Sequence, residues 1–240
     1  MIVETEFECC KIIAEDVENA IILEGSPGLG LIGNIVGWYI VENLNMRNIG
    51  YIESKDLPPI SVLYKGIALR PFRIYEGDGI VIFLSDAVIP MKAVFEMTKA
   101  IVTWMDKNNA KKVISFSGMP LREMEEQRKV LCAANNQDTL DELKEIGIQT
   151  MPFGNIPGLA GTLLTEAHTK NIPASCLFAE TTGPYPDPRA AASIIGILNK
   201  ILDIELDPAP LLKEAEAIEA RLKKLAEQVK TTKPEVPMYM

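Results

Sequence analysis

Ala20-Ile21-Ile22-Leu23-Glu24-Gly25-Ser26-Pro27-Gly28-Leu29-Gly30-Leu31-Ile32-Gly33 is the stretch on which the fold turns. Ala20–Leu23 is a short apolar run and reads as a buried strand. The glycines after it mark a tight turn. Apolar residues at helical spacing over Leu31–Asn43 predict a helix, and Ile49–Ile52 reads as the next strand. A strand, a crossover helix and a second strand make a βαβ unit, the building block of an α/β domain.

Working downstream, the pattern changes. Ile60–Tyr64, Ile67–Tyr75 and Ile80–Leu84 are three strand-like runs joined by Lys65-Gly66 and Glu76-Gly77-Asp78-Gly79. Connections this short exclude parallel crossovers and predict hairpins. Pro90 opens a helix through Lys107, with Val94, Met97, Ile101, Trp104 and Met105 on one face. Val113–Phe116 reads as a buried strand, Asp138–Ile146 as a helix ended by Gly147, Leu159–Lys170 as a helix, and Ala174–Ala179 as a strand. Asp187-Pro188 is a cap-and-proline start for a helix through Leu202. The expected fold is α/β, a mixed sheet flanked by helices, over residues 1–206.

Residues 207–230 form a separate amphipathic helix. Asp207-Pro208 starts it, and Leu211, Ala215, Ile218, Leu222, Leu225 and Val229 follow a heptad rhythm. Two readings stay open: a helix laid on its own domain, or a contact between subunits. Glu219 and Lys223 are spaced as an ion pair. The segment 231–240 is an extended tail: Thr231-Thr232-Lys233-Pro234-Glu235-Val236-Pro237 is a solvated spacer with a reach on the order of 20 Å, and Met238-Tyr239-Met240 ends it.

Composition narrows the function. The chain has 240 residues, 48% hydrophobic, with a net charge of −9. Such an acidic chain does not neutralise phosphate backbones, so no nucleic-acid or anionic-membrane partner is expected. The opening MIVETEFECC has no charged segment before an apolar run, and no apolar stretch reaches the roughly 20 residues of a spanning helix. The expected location is the cytoplasm, with Cys9, Cys10, Cys132 and Cys176 as thiols.

Catalytic motifs are sparse. No C-x-x-C pair exists, and His168 is the sole histidine. No catalytic residue, metal ligand or cofactor is assigned. Gly28-Leu29-Gly30-Leu31-Ile32-Gly33 does match G-x-G-x-x-G, with Glu53 following the second strand. That spacing supports an alternative, a nucleotide- or nucleoside-binding enzyme using loop 25–33. Against it, Pro27 removes a backbone donor, and Pro157-Gly158-Leu159-Ala160-Gly161 repeats the phrase before another helix. The competing reading is a structural strand-to-helix turn. Loop 180–189 (Glu180-Thr181-Thr182-Gly183-Pro184-Tyr185-Pro186-Asp187-Pro188-Arg189) lies where α/β ligand sites lie; Glu180 and Arg189 are its candidate ligand contacts, against a rigid capped loop.

Three phrases converge on a family. Glu24–Gly33, Gly154-Asn155-Ile156-Pro157-Gly158-Leu159-Ala160-Gly161 and Glu180-Thr181-Thr182-Gly183 resemble motifs of the proteasome-assembly chaperone 2 (PAC2) family and its archaeal members. The resemblance covers roughly residues 18–203. It implies a nucleoside phosphorylase-like α/β fold without catalytic activity, self-association into a homo-oligomer (a tetramer or pentamer), and proteasome α-subunits as partners. It also implies a docking role for a terminal hydrophobic–Tyr–any motif, here Met238, Tyr239 and Met240. The chemistry suits such a role. The Met240 carboxylate can meet a lysine, Tyr239 offers a ring and a hydroxyl, and Met238 adapts to an irregular groove.

Overall fold

The computed structural model describes residues 2–7, 10–120 and 128–231, with side chains over 10–120 and 128–220. The chain runs β1 (Ile2–Phe7), β2 (Cys10–Glu15), β3 (Ile21–Gly25), a 3-10 turn (Leu29–Leu31), α1 (Ile32–Asn43) and β4 (Arg47–Ser54). Next come β5 (Val62–Tyr64), β6 (Ile67–Leu69), β7 (Phe72–Gly77), β8 (Ile80–Ser85), α2 (Met91–Lys107) and β9 (Lys112–Pro120). The rest is β10 (Val130–Ala134), α3 (Gln137–Glu145), β11 (Gln149–Thr150), α4 (Gly158–Thr169), β12 (Ala174–Thr181), α5 (Pro188–Leu202) and α6 (Ala209–Thr231).

Among the described residues one sheet carries ten strands in the order β1-β2-β4-β7-β8-β3-β9-β12-β10-β11. Its centre, β8-β3-β9-β12, is parallel, and antiparallel pairs extend it on both sides. The mixed α/β fold expected from the sequence is therefore present. The first crossover is wider than the plain unit suggests, because β7 and β8 insert between β3 and β4.

Helices cover both faces, which is why the central strands read as continuous apolar runs. Along β3, Ile22 packs toward α2 and α4, while Leu23 packs toward α1 and α5. β8 alternates the same way, with Val81 and Phe83 on one side and Ile80, Ile82 and Leu84 on the other. Trp104 of α2 meets Phe83 edge-on at 5.5 Å. The expected hairpins form on two-residue turns, Lys65-Gly66 and Asp78-Gly79, all at positive φ. These are the turns whose twist matches paired strands.

One expected run is divided. Ile67–Tyr75 does not form a single strand: Ile67–Leu69 pairs with β5 in a separate two-stranded sheet, and Phe72–Gly77 joins the main sheet. Pro71 lies between them and has no N–H to continue a ladder. The cap assignments hold. Asp187 accepts the Ala190 N–H at 3.0 Å, Gly147 sits at φ +89°, and Asp207 accepts the Ala209 N–H at 3.0 Å.

The first turns of the C-terminal helix follow the reading of a helix laid on its own domain. Leu211 and Ala215 are buried and Ile218 is half-buried, so the first turns of α6 lie on their own domain, against α5. The side chains of Leu222, Leu225 and Val229 lie outside the described residues. The Lys223 side chain, expected to pair with Glu219, lies outside the described residues; Glu219 accepts from Arg189 Nε and Nη2, at 3.0 and 3.1 Å.

Candidate functional site

The site builds from the loops at the carboxyl ends of the parallel strands. After β3 the chain enters the Gly-rich turn. Gly30 has φ +70°, and Leu31 follows at φ +51° before α1 begins. Two left-handed residues in succession swing the chain sharply from strand to helix. The space the glycines leave is filled by protein. A Cβ on Gly30 would lie 2.6 Å from the Thr181 hydroxyl oxygen, and one on Gly33 would lie 2.4 Å from the Ser26 carbonyl oxygen. Gly118 of β9 makes the same allowance for the Leu29 carbonyl, at 2.3 Å.

The second Pro-Gly-Leu phrase repeats the device. Gly158 has φ +73°, and three residues later a Cβ on Gly161 would lie 1.9 Å from the Ile156 carbonyl oxygen. Gly30 and Gly33 stand in the same relation. In both places a left-handed glycine makes the turn and a helical glycine admits a loop carbonyl. This is the geometry of a structural turn. The approach that a dinucleotide fingerprint reserves for phosphate is taken at Gly30 and Gly33 by Thr181 and Ser26. Gly28 alone of the three faces open space.

Loop 180–189 closes over this turn. The Asp187 N–H donates to the Gly30 carbonyl at 3.0 Å. The Thr181 hydroxyl donates to Asp187 Oδ2 at 2.9 Å, and Arg128 Nε lies 3.8 Å from the same oxygen. Arg128, Thr181 and Asp187 are all buried. Glu180 and Arg189, the pair considered as ligand contacts, are not brought together. Glu180 accepts the Lys129 N–H, while Arg189 is committed to Glu219 on α6. The loop is a rigid, capped structure that locks α5 to the Gly-rich turn.

One acidic group here opens the Glu24–Gly33 phrase but is given no role by its sequence. Glu24, at the end of β3, is 2% exposed and accepts the Ser26 N–H at 2.8 Å. Burial pushes its carboxyl above the ordinary range, and hydrogen bonding from Ser26 and Ser115 holds it back in part. Burial likewise drives the Cys176 thiol well up, and Cys132 upward. Neither has the electropositive, exposed setting of a reactive thiol. His168 is an exposed residue in the last turn of α4. Among the described residues no group of three or more His, Cys, Asp or Glu side chains is placed to hold a metal ion.

Met238, Tyr239 and Met240 lie outside the described residues. Their base is described. Tyr39 of α1 donates its hydroxyl to the Asp207 carbonyl, and Arg189 grips Glu219. From Ala215 to Thr231 the helix then advances about 24 Å.

The model of the PAC2 family matches residues 22–226, most of the chain and all three phrases described above. The chain belongs to the PAC2 family. An uncharacterized protein of Methanocaldococcus jannaschii is 35% identical over 229 residues, 94% of each chain. The crystal structure of Pyrococcus furiosus PbaA, described as an archaeal homolog of proteasome-assembly chaperone, superposes with a TM-score of 0.88. It shares 37% identity, covering 93% of this chain and 94% of PbaA. P. furiosus PbaB, described as an archaeal proteasome activator, has a TM-score of 0.81 at 21% identity, over 92% of this chain and all of PbaB, and shows the shared PAC2 fold.

Proposed function

We propose that this chain is a non-enzymatic proteasome-assembly chaperone or adaptor that binds proteasome α-subunits through Met238, Tyr239 and Met240. The observation that carries the reading is the 37% identity with PbaA across 93% of the chain. The division of labour follows the architecture: an α/β body over 1–206, a helix over 207–230, and a tail over 231–240. The body fixes the start of α6 through Leu211, Ala215 and the Arg189–Glu219 pair, so each subunit presents its tail from a defined root. A three-residue contact is weak alone, and a homo-oligomer of four or five subunits multiplies it through effective concentration. A cytoplasmic location suits this role, and among the described residues no helix is long and apolar enough to cross a membrane.

The test is capture of isolated proteasome α-subunits by the full chain, by a chain lacking Met238–Met240, and by Tyr239→Ala. Deletion should abolish most binding and the single substitution should weaken it strongly. Equal capture by all three would refute docking through the tail.

A further inference from the structure

Four segments meet at the carboxyl end of β3 and leave a cavity of about 240 Å³ between them. Glu24 ends β3, Ser26 and Gly28 come from the β3–α1 loop, and Phe116 and Ser117 from the middle of β9, level with the end of β3. The loop into α2 and the start of α4 form the other walls. β3 and β9 are neighbours in the sheet, yet the chain leaves them in opposite directions: β3 leads to β4 on one side, β9 to β10 on the other. Such a reversal opens a crevice at the strand ends, and crevices of this kind are where open α/β sheets bind small molecules.

Glu24 sets the chemistry. It lines the cavity and is almost wholly buried, yet no lysine, arginine or histidine pairs with it among the described residues. Half-buried Asp86 and buried Asp187 lie near the same end of the sheet's strands, and each sits against a buried arginine, Arg73 and Arg128. A buried carboxylate is ordinarily matched by a cation or by several donors. At Glu24 the Ser26 N–H donates at 2.8 Å and the Ser26 and Ser115 side chains also help hold the carboxylate, but among the described residues no cation matches its charge.

We propose that this cavity binds a small primary amine with an apolar body, the ammonium meeting Glu24 and the body lying against Ile89, Val94, Phe116 and Leu159. An ammonium brings the missing charge and three donors in one compact group. The volume lies below the about 300 Å³ at which drug-sized pockets begin, so the ligand is metabolite-sized. Exposed Val88 and Met91 give the mouth an apolar lip. An amino acid would add a carboxylate at the α4 N-terminus, which has no side-chain cap. Simple amines and amino acids share the ammonium, and the experiment separates them.

The test uses the full chain with phenethylamine, leucine and phenethyl alcohol, read by saturation-transfer NMR and by thermal melting. Phenethylamine should bind saturably and raise the melting temperature. Phenethyl alcohol, which lacks the charge, should bind about tenfold more weakly or worse. Glu24→Gln should cut phenethylamine affinity by a similar factor and leave the alcohol unchanged. Gly28→Val places a side chain in open space at the cavity wall, on extended backbone (φ −132°). It should melt like the parent chain and bind neither compound, so it decides the matter even if Glu24→Gln folds poorly. Leucine binding as well as phenethylamine would assign an amino acid, and phenethylamine alone a simple amine; both support the proposal. Failure of both amines to bind the parent chain, equal binding of amine and alcohol, or amine binding that survives Gly28→Val would overturn it.

Discussion

Asp187 is the residue whose removal should be felt most widely at the edge of the sheet. Its Oδ1 accepts the Ala190 N–H at 3.0 Å and caps α5; its Oδ2 accepts the Thr181 hydroxyl at 2.9 Å and lies 3.8 Å from Arg128 Nε. Loss of the cap costs about 1 kcal/mol. Thr181 is 1% exposed, and leaving its hydroxyl without an acceptor costs about another 1 kcal/mol or more. The charge pair is long, so its share is set at about 1 kcal/mol, well under that of a close buried pair. Asp187→Ala should therefore cost about 3 kcal/mol, and Asp187→Asn, whose Oδ1 keeps the cap and whose Nδ2 can donate to the Thr181 hydroxyl oxygen, about 1 kcal/mol. For a chain of this size these are falls in Tm of about 6–12 °C and 2–4 °C. Urea denaturation of the three proteins at constant m-value is the assay. An asparagine variant as damaged as the alanine variant would show that charge, not hydrogen bonding, holds the loop; two near-silent variants would refute the reasoning altogether.

Other outcomes follow from the same geometry. Gly30→Ala forces a Cβ to 2.6 Å from Thr181 Oγ1 at φ +70°, so it should cost about 2–4 kcal/mol. Combining it with Thr181→Ala should cost less than the sum, which a double-mutant cycle measures. Glu24 has a folded-state carboxyl raised above 4.5. Its contribution to stability is therefore fully present below that pH and is lost as pH rises through the raised value. Glu24→Gln removes this loss, so thermal melts should shift in the variant's favour as pH climbs from about 4.5 toward neutrality. A chain ending at Leu206 strips Leu211 and Ala215 from the buried surface over α5 and should lose about 3 kcal/mol. A chain ending at Ala220 keeps both and should melt like the parent. Sedimentation of that shorter chain isolates the contribution of 221–240 to self-association, and an unchanged oligomer would remove any such contribution.

Much of this fold was legible because both faces of the central sheet are covered. β3 and β8 carry unbroken apolar runs, β12 one interrupted only by Ser175, and capping residues mark α3 and α5 directly. The strands that escaped sequence reading lie toward the sheet's ends. In β2 the buried set is Cys10, Ile12 and Ala14, with Ile13 facing the other way, so neither alternation nor a continuous run stands out. β1 and β11 are the edge strands, and β11 is two residues long. Edge strands are held by one neighbour and need less pattern to be specified. The Arg189–Glu219 pair is 30 residues apart in sequence, and nothing local announces it. Glu24 opens the Glu24–Gly33 phrase, yet nothing in the sequence announces its burial, which only the fold supplies.

The Gly-rich turn shows what kind of information such a motif carries. G-x-G-x-x-G states that backbone must approach something closely at three places; it does not name the thing approached. In a dinucleotide site that partner includes a pyrophosphate. Here Gly30 receives Thr181 and Gly33 receives the Ser26 carbonyl, and Gly161 meets the same demand with the Ile156 carbonyl. Steric need is thus encoded locally, while the partner at Gly30 comes from loop 180–189, some 150 residues away. Gly28 is the instructive exception. With nothing within 4 Å of its would-be Cβ, no packing among the described residues accounts for a glycine there. It stands on the wall of the cavity that Glu24 also lines. Two positions of the motif are therefore explained by folding, and the third is explained by what the cavity admits.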